Sequence, residues 1–176
     1  MKTIAISNEY YLSPVTDSDK DRIALCCNDE ELFRNTLRVP YPYTENDAQN
    51  FLNFVTECRI KYGTDMQFAV RDKSGIMLGV VGVVSKYSKG SHVEEIGYWI
   101  GRDFRNQGLA SKAIRAFTDY LISHLNYIRI EAIVFQHNEA SQRALLKAGF
   151  QYEGLLRKLH VKGDRALDCK LFSFIK

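Results

Sequence analysis

The sequence predicts an α/β domain of the α+β layered type, and three observations carry that expectation. Apolar residues recur at helical spacing over Phe51 to Tyr62 and again over Leu109 to Leu121. Elsewhere the period shortens, and β-branched and aromatic residues gather in runs such as Met66 to Arg71, Val93 to Ile100 and Ile128 to Phe135. The resulting order is a strand, two or three helices, three strands, a helix, a strand, a helix and two strands, an order that layers helices on a sheet. The chain has 176 residues, 45% of them hydrophobic, enough to cover a sheet on both sides but with no room for a second domain. Residues 1–176 are therefore expected to form one domain.

Tyr10 to Pro14 reads as the first strand, after which Thr16 or Asp17 caps a helix running to about Asn28. A second helical patch reaches Leu37. Val39 to Tyr43 holds two prolines and two tyrosines, a composition that forbids regular helix and reads as an irregular, substrate-side lid. Thr44 with Asp47 has the form of an N-cap and its first-turn acid, and Gly63 stops the helix that they open. Met66 to Arg71 and Ile76 to Tyr87 make a hairpin about the turn Asp72 to Gly75, and after a further turn at Ser88 to Ser91 the next strand is Val93 to Ile100. Leu109, Ala113, Phe117 and Leu121, joined by Ala110, Ile114 and Ala116, give a strongly amphipathic helix. Ile128 to Phe135 is a buried strand, Asn138 to Ala148 a short helix closed by Gly149, and two last strands flank a turn at Val161 to Asp164.

With 24 basic against 21 acidic residues the net charge is +3, too even to mark a nucleic-acid surface or a polybasic membrane patch, so neither partner is expected. Cys26, Cys27, Cys58 and Cys169 show neither CxxC spacing nor a histidine cluster, so they read as reduced thiols with no metal. Near the start, Lys2 and the apolar run Ile4 to Ile6 are interrupted by Ser7, Asn8 and Glu9 before a leader core forms. No other run is long enough to span a bilayer. The expectation is a cytoplasmic protein, with monomer and homodimer both open.

The most informative stretch is Glu94 to Ala113, where a strand ends at Gly101, a polar loop follows and Gly108 opens the amphipathic helix. Backbone N–H groups in a first helical turn have no intrahelical acceptor and lie at the positive end of the macrodipole, so they favour a phosphate. The run Arg105, Asn106, Gln107, Gly108, Leu109, Ala110 puts small residues where a chain must approach an anion, and Ser111 adds a hydroxyl. Arg102, Arg105, Lys112 and Arg115 bring positive charge nearby. The bland alternative is one ordinary glycine before a surface helix.

This run resembles the acetyl-CoA pyrophosphate motif of the GNAT superfamily, with Arg105, Gly108 and Ala110 at the matching positions. The segments IGYWIGRDF and NEASQRALLKAGF (Asn138 to Phe150), followed by Glu153 and Gly154, are similar to the RimJ/RimL-like branch, whose founding members acetylate ribosomal-protein N-termini. The resemblance runs from about Tyr10 to the C-terminus. It implies a mixed, mostly antiparallel twisted sheet flanked by helices, splayed between its central strands, with the pantetheine arm of acetyl-CoA lying in the splay. On that reading free backbone groups around Trp99, Ile100 and Gly101 bond the arm, and Asn138 bonds a pantetheine amide, caps its helix, or does both.

Acetyl transfer needs an unprotonated amine held against the thioester carbonyl, donors for the developing oxyanion and a proton for the departing thiolate. Backbone N–H groups near Ile100 are the expected donors. Glu95 is nominated as base; alternation puts it on one strand face with Gly97 and Trp99, while Glu94, Ile96, Tyr98 and Ile100 take the other, and Glu94 is held in reserve. Many GNAT enzymes carry a tyrosine seven residues beyond the asparagine, where this chain has Leu145, and the resemblance implies Ser141 as the substitute group at sulfur. Of the four histidines only His137 falls beside the cofactor segment. Tyr41 and Tyr43 are candidates for the acceptor pocket, against a plain role in the core. The expected reaction is acetyl transfer to a primary amine, on a protein N-terminus or a small molecule; the alternatives are a sensor module that holds acetyl-CoA without turnover and a plain interaction domain.

Overall fold

The computed structural model describes residues 3–176, so Lys2 lies outside the described residues. The strands are β1 (Ile4–Ala5), β2 (Tyr10–Pro14), β3 (Gln67–Asp72), β4 (Met77–Val83), β5 (Val93–Ile100), β6 (Arg129–Phe135), β7 (Gln151–Lys162) and β8 (Arg165–Ile175). They form one eight-stranded sheet in the order β1-β2-β3-β4-β5-β6-β8-β7. Every neighbouring pair is antiparallel except β5 with β6. The helices are α1 (Lys20–Cys27), α2 (Glu30–Asn35), α3 (Glu45–Tyr62), α4 (Leu109–Leu125) and α5 (Glu139–Lys147).

Helix α3 begins where its cap residues require. Thr44 Oγ1 accepts from the Asp47 N–H while the Asp47 carboxylate accepts from the Thr44 N–H, and Gly63 ends the helix at φ 72°. The first helix opens differently from the sequence expectation, through a single 3-10 turn at Asp17–Asp19 before α1. The cause is Asp19, whose buried carboxylate accepts from the Thr16 N–H at 2.9 Å and pairs with Arg71 at 2.8 Å. Helix α2 stops at Asn35 rather than Leu37, because the Thr36 hydroxyl takes the Leu32 carbonyl at 2.8 Å and its backbone turns extended. Strand β4 ends at Val83 rather than Tyr87: Ser85 adopts φ 63°, and the Lys61 ammonium draws the Ser85 and Tyr87 carbonyls to itself.

Two apolar layers cover the sheet. On one side α4 buries Leu109, Ala113, Ile114, Phe117 and Leu121 against Phe68, Val70, Val81, Ile96 and Ile130, with the Phe68 and Phe117 rings 5.6 Å apart. On the other, Ile23 and Cys27 of α1 and Ala48, Leu52 and Val55 of α3 pack on Ala69, Met77 and Val80, with Trp99 and Tyr43 at the edge of the cluster. The helical period read from the sequence thus selects the faces that are buried.

The feature that positions the site is the contact between β5 and β6. Pairing covers Val93 with Arg129, Glu94 with Ile130 and Glu95 with Glu131, and there it stops. From Ile96 onward β5 stays with β4, whose register runs from Val83 opposite Ile96 to Gly79 opposite Ile100, while β6 stays paired with β8 as far as Phe135. The sheet therefore splays along its middle, as the resemblance implied.

Phe117 has no exposed surface. Replacing it with alanine is expected to lower the unfolding free energy by about 3–5 kcal/mol, measured as a fall in the urea midpoint.

Candidate active site

Backbone alternation decides which groups of β5 face the splay. The Glu95 carbonyl accepts from the Val84 N–H at 2.7 Å, and the Gly101 N–H donates to the Leu78 carbonyl at 2.8 Å, so the odd-numbered positions bond to β4. The N–H and C=O groups of Ile96, Tyr98 and Ile100 then turn towards the gap. Of these, the Ile100 carbonyl accepts from Arg105 Nε at 2.9 Å. This corrects the sequence reading at two positions. Gly101 has already given its N–H to β4, and the main chain of Trp99 faces β4 as well, because successive strand residues point to opposite edges. Ile100 does face the gap, and Tyr98 takes the place beside it.

At the open end of the splay, Gly108 precedes α4 at φ 73°, with Asn106 also left-handed at φ 61°. No side chain caps this helix, and the first bond into it is from the Lys112 N–H to the Gly108 carbonyl at 3.3 Å. The N–H groups of Leu109, Ala110 and Ser111 are thus without intrahelical acceptors. A Cβ built on Gly108 meets no atom within 4 Å, so this turn is open on the outside. Ser111 Oγ donates to the Gly108 carbonyl at 2.9 Å and Gln107 Nε2 to the Asp103 carbonyl at 3.2 Å.

The arginines here do something other than wait for an anion. Arg105 pairs with Asp29 at 2.7 Å and Glu31 at 2.9 Å, Arg102 with Asp29 at 3.1 Å, and Arg115 with Asp119 at 2.8 Å. The guanidinium expected at the phosphate instead ties the loop to α2, since a buried carboxylate demands a partner. Burial opposes ionisation of Asp29, but the Arg102 hydrogen bond, the Arg105 charge and the N–H groups of Glu31 and Leu32 together hold its carboxyl below the usual range. Lys112 is the one of the four nearby basic residues with no ion pair among the described residues.

At the closed end the two glutamates of β5 part company. Glu94 is fully buried, accepts a hydrogen bond from the Tyr62 hydroxyl, and belongs to the core side. Glu95 points the other way and reaches Lys86 at 3.3 Å. Burial pushes the Glu95 carboxyl up; Lys86 opposes this and the facing Glu131 adds to it. Glu131 itself accepts from Tyr87 at 2.6 Å and from Arg129 Nε at 2.7 Å. Arg129 also holds Glu153, which accepts from Ser173 at 2.6 Å and whose carboxyl is brought down to about 2, chiefly by the Arg129 hydrogen bond.

On the α5 side, Asn138 Oδ1 accepts from the Ser141 N–H at 3.1 Å, so it caps its helix. The Ser141 hydroxyl lies 2.6 Å from the Tyr98 hydroxyl, bridging α5 to β5. Leu145 is fully buried and turned into the core. Tyr41 is half exposed with its ring 6.3 Å from Phe33; Tyr43 is partly buried, and its main-chain N–H donates to Asn28.

A parted strand pair with an open helix entry at one end and carboxylates at the other matches a known domain: the family model described as Acetyltransferase (GNAT) domain covers residues 10–151. The chain belongs to the GNAT acetyltransferase family. It is 31% identical over 176 residues to the Uncharacterized N-acetyltransferase YoaA of Bacillus subtilis (strain 168), covering 100% of this chain and 98% of that protein. The GNAT fold is seen again in a Bacillus anthracis acetyltransferase, with TM-score 0.85, 22% identity and coverage of 99% and 98% of the two chains. It is also shared with Mycobacterium smegmatis RimJ in complex with CoA-disulfide, at TM-score 0.82, 18% identity and coverage of 99% and 87%.

Three residues that the structure brings beside the candidate ones were missed in the sequence. Tyr98 was visible only as an aromatic beside Trp99, and nothing in the spacing joins it to Ser141. Glu131 carried a signal, a lone acid in the apolar run Arg129–Phe135, but its partner Glu95 is set by strand register. Asp29 caps α2, and its second task of holding two arginines depends on tertiary contact.

The Glu153 contribution has a defined sign. Its folded pKa is depressed, so the stabilisation is full above the ordinary glutamate value of about 4.3 and is lost as pH falls towards about 2. Urea midpoints taken from pH 6 downwards should fall more steeply in the native chain than in Glu153→Gln.

Proposed function

We propose that this chain takes acetyl-CoA as acetyl donor and passes the acetyl group directly to a primary amine. The single observation that carries the reading is the parting of β5 from β6 immediately after Glu95 and Glu131, with unpaired main chain beyond it. Bound there, acetyl-CoA supplies an activated acyl group on sulfur. The N–H groups of Leu109, Ala110 and Ser111, entered through Asn106, Gln107 and Gly108, hold the diphosphate. Ile96, Tyr98 and Ile100 offer the main-chain partners of the arm, with Asn138 alongside.

Direct transfer asks three things of the protein. Glu95 takes the proton from the acceptor ammonium; it lies on the strand face away from Glu94, and its burial gives it a higher affinity for protons than an exposed glutamate. The gap-facing N–H of Tyr98, nearer to Glu95 along β5 than that of Ile100, donates to the carbonyl oxygen as charge builds there. Ser141, 2.6 Å from Tyr98, gives a proton to sulfur as it leaves; the phenol behind it restores the serine's proton, and solvent restores the phenol's. Burial keeps Tyr98 protonated well above neutral pH, so a donor is present throughout the working range.

The acceptor approaches on the Glu95 side, where Trp99 and the Tyr41 and Tyr43 loop lie. We place the chain in the RimJ/RimL-like branch, on the strength of the segments running from Ile96 to Phe104 and from Asn138 to Phe150 and the shared fold with RimJ. We further propose that residues 1–176 act as one domain, in the cytoplasm, where four free cysteines remain reduced. A protein N-terminus and a small amine are both compatible with this side of the sheet, and a homodimer is compatible with its exposed edges.

Two measurements test the reading. Thiol release with a panel of amines should rise with pH through the raised pKa of Glu95, and Glu95→Gln should lose that limb together with about 100-fold or more in kcat. Gly108→Asp puts a negative charge against the helix entry and should weaken coenzyme A binding by calorimetry at least about tenfold, the effect of ~1.4 kcal/mol. Unchanged affinity would remove the phosphate site from that turn.

A further inference from the structure

Lys86 is a primary amine already seated on the base. Its ammonium lies 3.3 Å from Glu95 Oε2, where the Glu95 side chain is 12% exposed and the lysine 49%. Exposed ion pairs usually form from side chains that happen to reach each other. This one is delivered by a built loop. Ser85, just before it, adopts the left-handed φ of 63°, uncommon for a residue other than glycine. Lys61 Nζ donates to the Ser85 carbonyl at 3.1 Å, the Ser85 hydroxyl at 2.9 Å and the Tyr87 carbonyl at 2.7 Å, gripping the main chain on both sides of Lys86. Tyr87 then reaches across to Glu131 at 2.6 Å, and its ring lies 5.4 Å from the Lys86 ammonium. The loop is fastened to the two carboxylates that mark the closed end of the splay, with one alkyl ammonium aimed at the first of them.

We propose that Lys86 is an internal acceptor: its ε-amine occupies the acceptor seat at Glu95 and is itself acetylated. The inference rests on the reading of Glu95 as base and of the splay as the acetyl-CoA site. The Lys86 ammonium gives one proton to the Glu95 carboxylate, and the freed lone pair on nitrogen forms the amide bond to the acetyl carbon. Glu95 hands that first proton on to solvent and takes the second as the amide forms, while the carbon–sulfur bond breaks with its electron pair on sulfur, which takes a proton from solvent relayed through Tyr98 and Ser141. No oxidant or further reactant is needed. Once acetylated, Lys86 has no charge to hold it on Glu95, so the carboxylate is released to an external amine; before that, the lysine competes with it.

The proposal is tested on the full chain. Without any donor, reductive ¹³C-methylation of the lysines should give a Lys86 resonance that moves on Glu95→Gln, reporting the ion pair by itself. With acetyl-CoA alone, peptide mass mapping should find acetyl on Lys86 at least about tenfold faster than on the unpaired Lys112, at a rate per chain independent of protein concentration, and Glu95→Gln should abolish that preference. Acetyl spread evenly over exposed lysines, a rate that grows with protein concentration, or a Lys86 left unmodified while an amine panel still releases thiol would each overturn the internal acceptor and leave the transferase reading standing. No labelling together with no thiol release for any amine would bring down both.

Discussion

An unpaired strand edge inside a sheet is the constraint on which this molecule depends. Buried backbone donors and acceptors need partners, and a sheet that opens between two of its central strands leaves two rows of them facing each other across a gap. Here the opening follows from competition between neighbours. β5 continues its register with β4 to Gly79 opposite Ile100, β6 continues with β8 to Cys169 opposite Phe135, and the two diverge after three shared positions. What enters the gap has to be extended and has to carry amide-like groups, which describes the arm of the cofactor.

The two ends of the gap are chemically unlike, and that gives the bound molecule its direction. The Gly108 end presents bare N–H groups at the start of a 17-residue helix, a place for negative charge. The closed end presents Glu95 and Glu131 side by side, a place for positive charge. Like carboxylates so close would repel, and the structure moderates this by assigning separate partners: Arg129 and Tyr87 to Glu131, Lys86 to Glu95. Glu95 is left with a single, half-exposed partner, and burial pushes its carboxyl up, which suits the proton acceptor proposed there.

Arginines near the phosphate turn show how local charge can mislead. Counted along the sequence with Lys112 they suggest a basic cradle, but all three arginines are tied to carboxylates, and Arg105 also holds the Ile100 carbonyl. Arg102 and Arg105 instead fix the loop between β5 and α4 against α2, and so bear on the proposed anion site only indirectly, while Arg115 pairs within α4. The helix entry is left to offer main-chain N–H groups, whose geometry does not vary with side-chain rotamers.

The helices, seven of the eight strands and the turn at Gly108 were legible in the sequence, because they follow from apolar period, cap residues and glycine, all of which act over a few neighbouring positions; the two-residue β1, which exists only by pairing with β2, was not. The sequence also placed Glu94 and Glu95 on opposite faces, since alternation is a local property of a strand. Strand ends were less legible: β4 stops early at Val83 because Lys61, from a helix more than twenty positions earlier, pulls on the following loop. Tertiary contact alone sets which edge of β5 is free, that Tyr98 meets Ser141, that Glu131 faces Glu95, and that Lys86 pairs with Glu95. Each of those depends on register between strands or on contact between distant segments, and no local pattern records the distance between residues that the fold alone brings together.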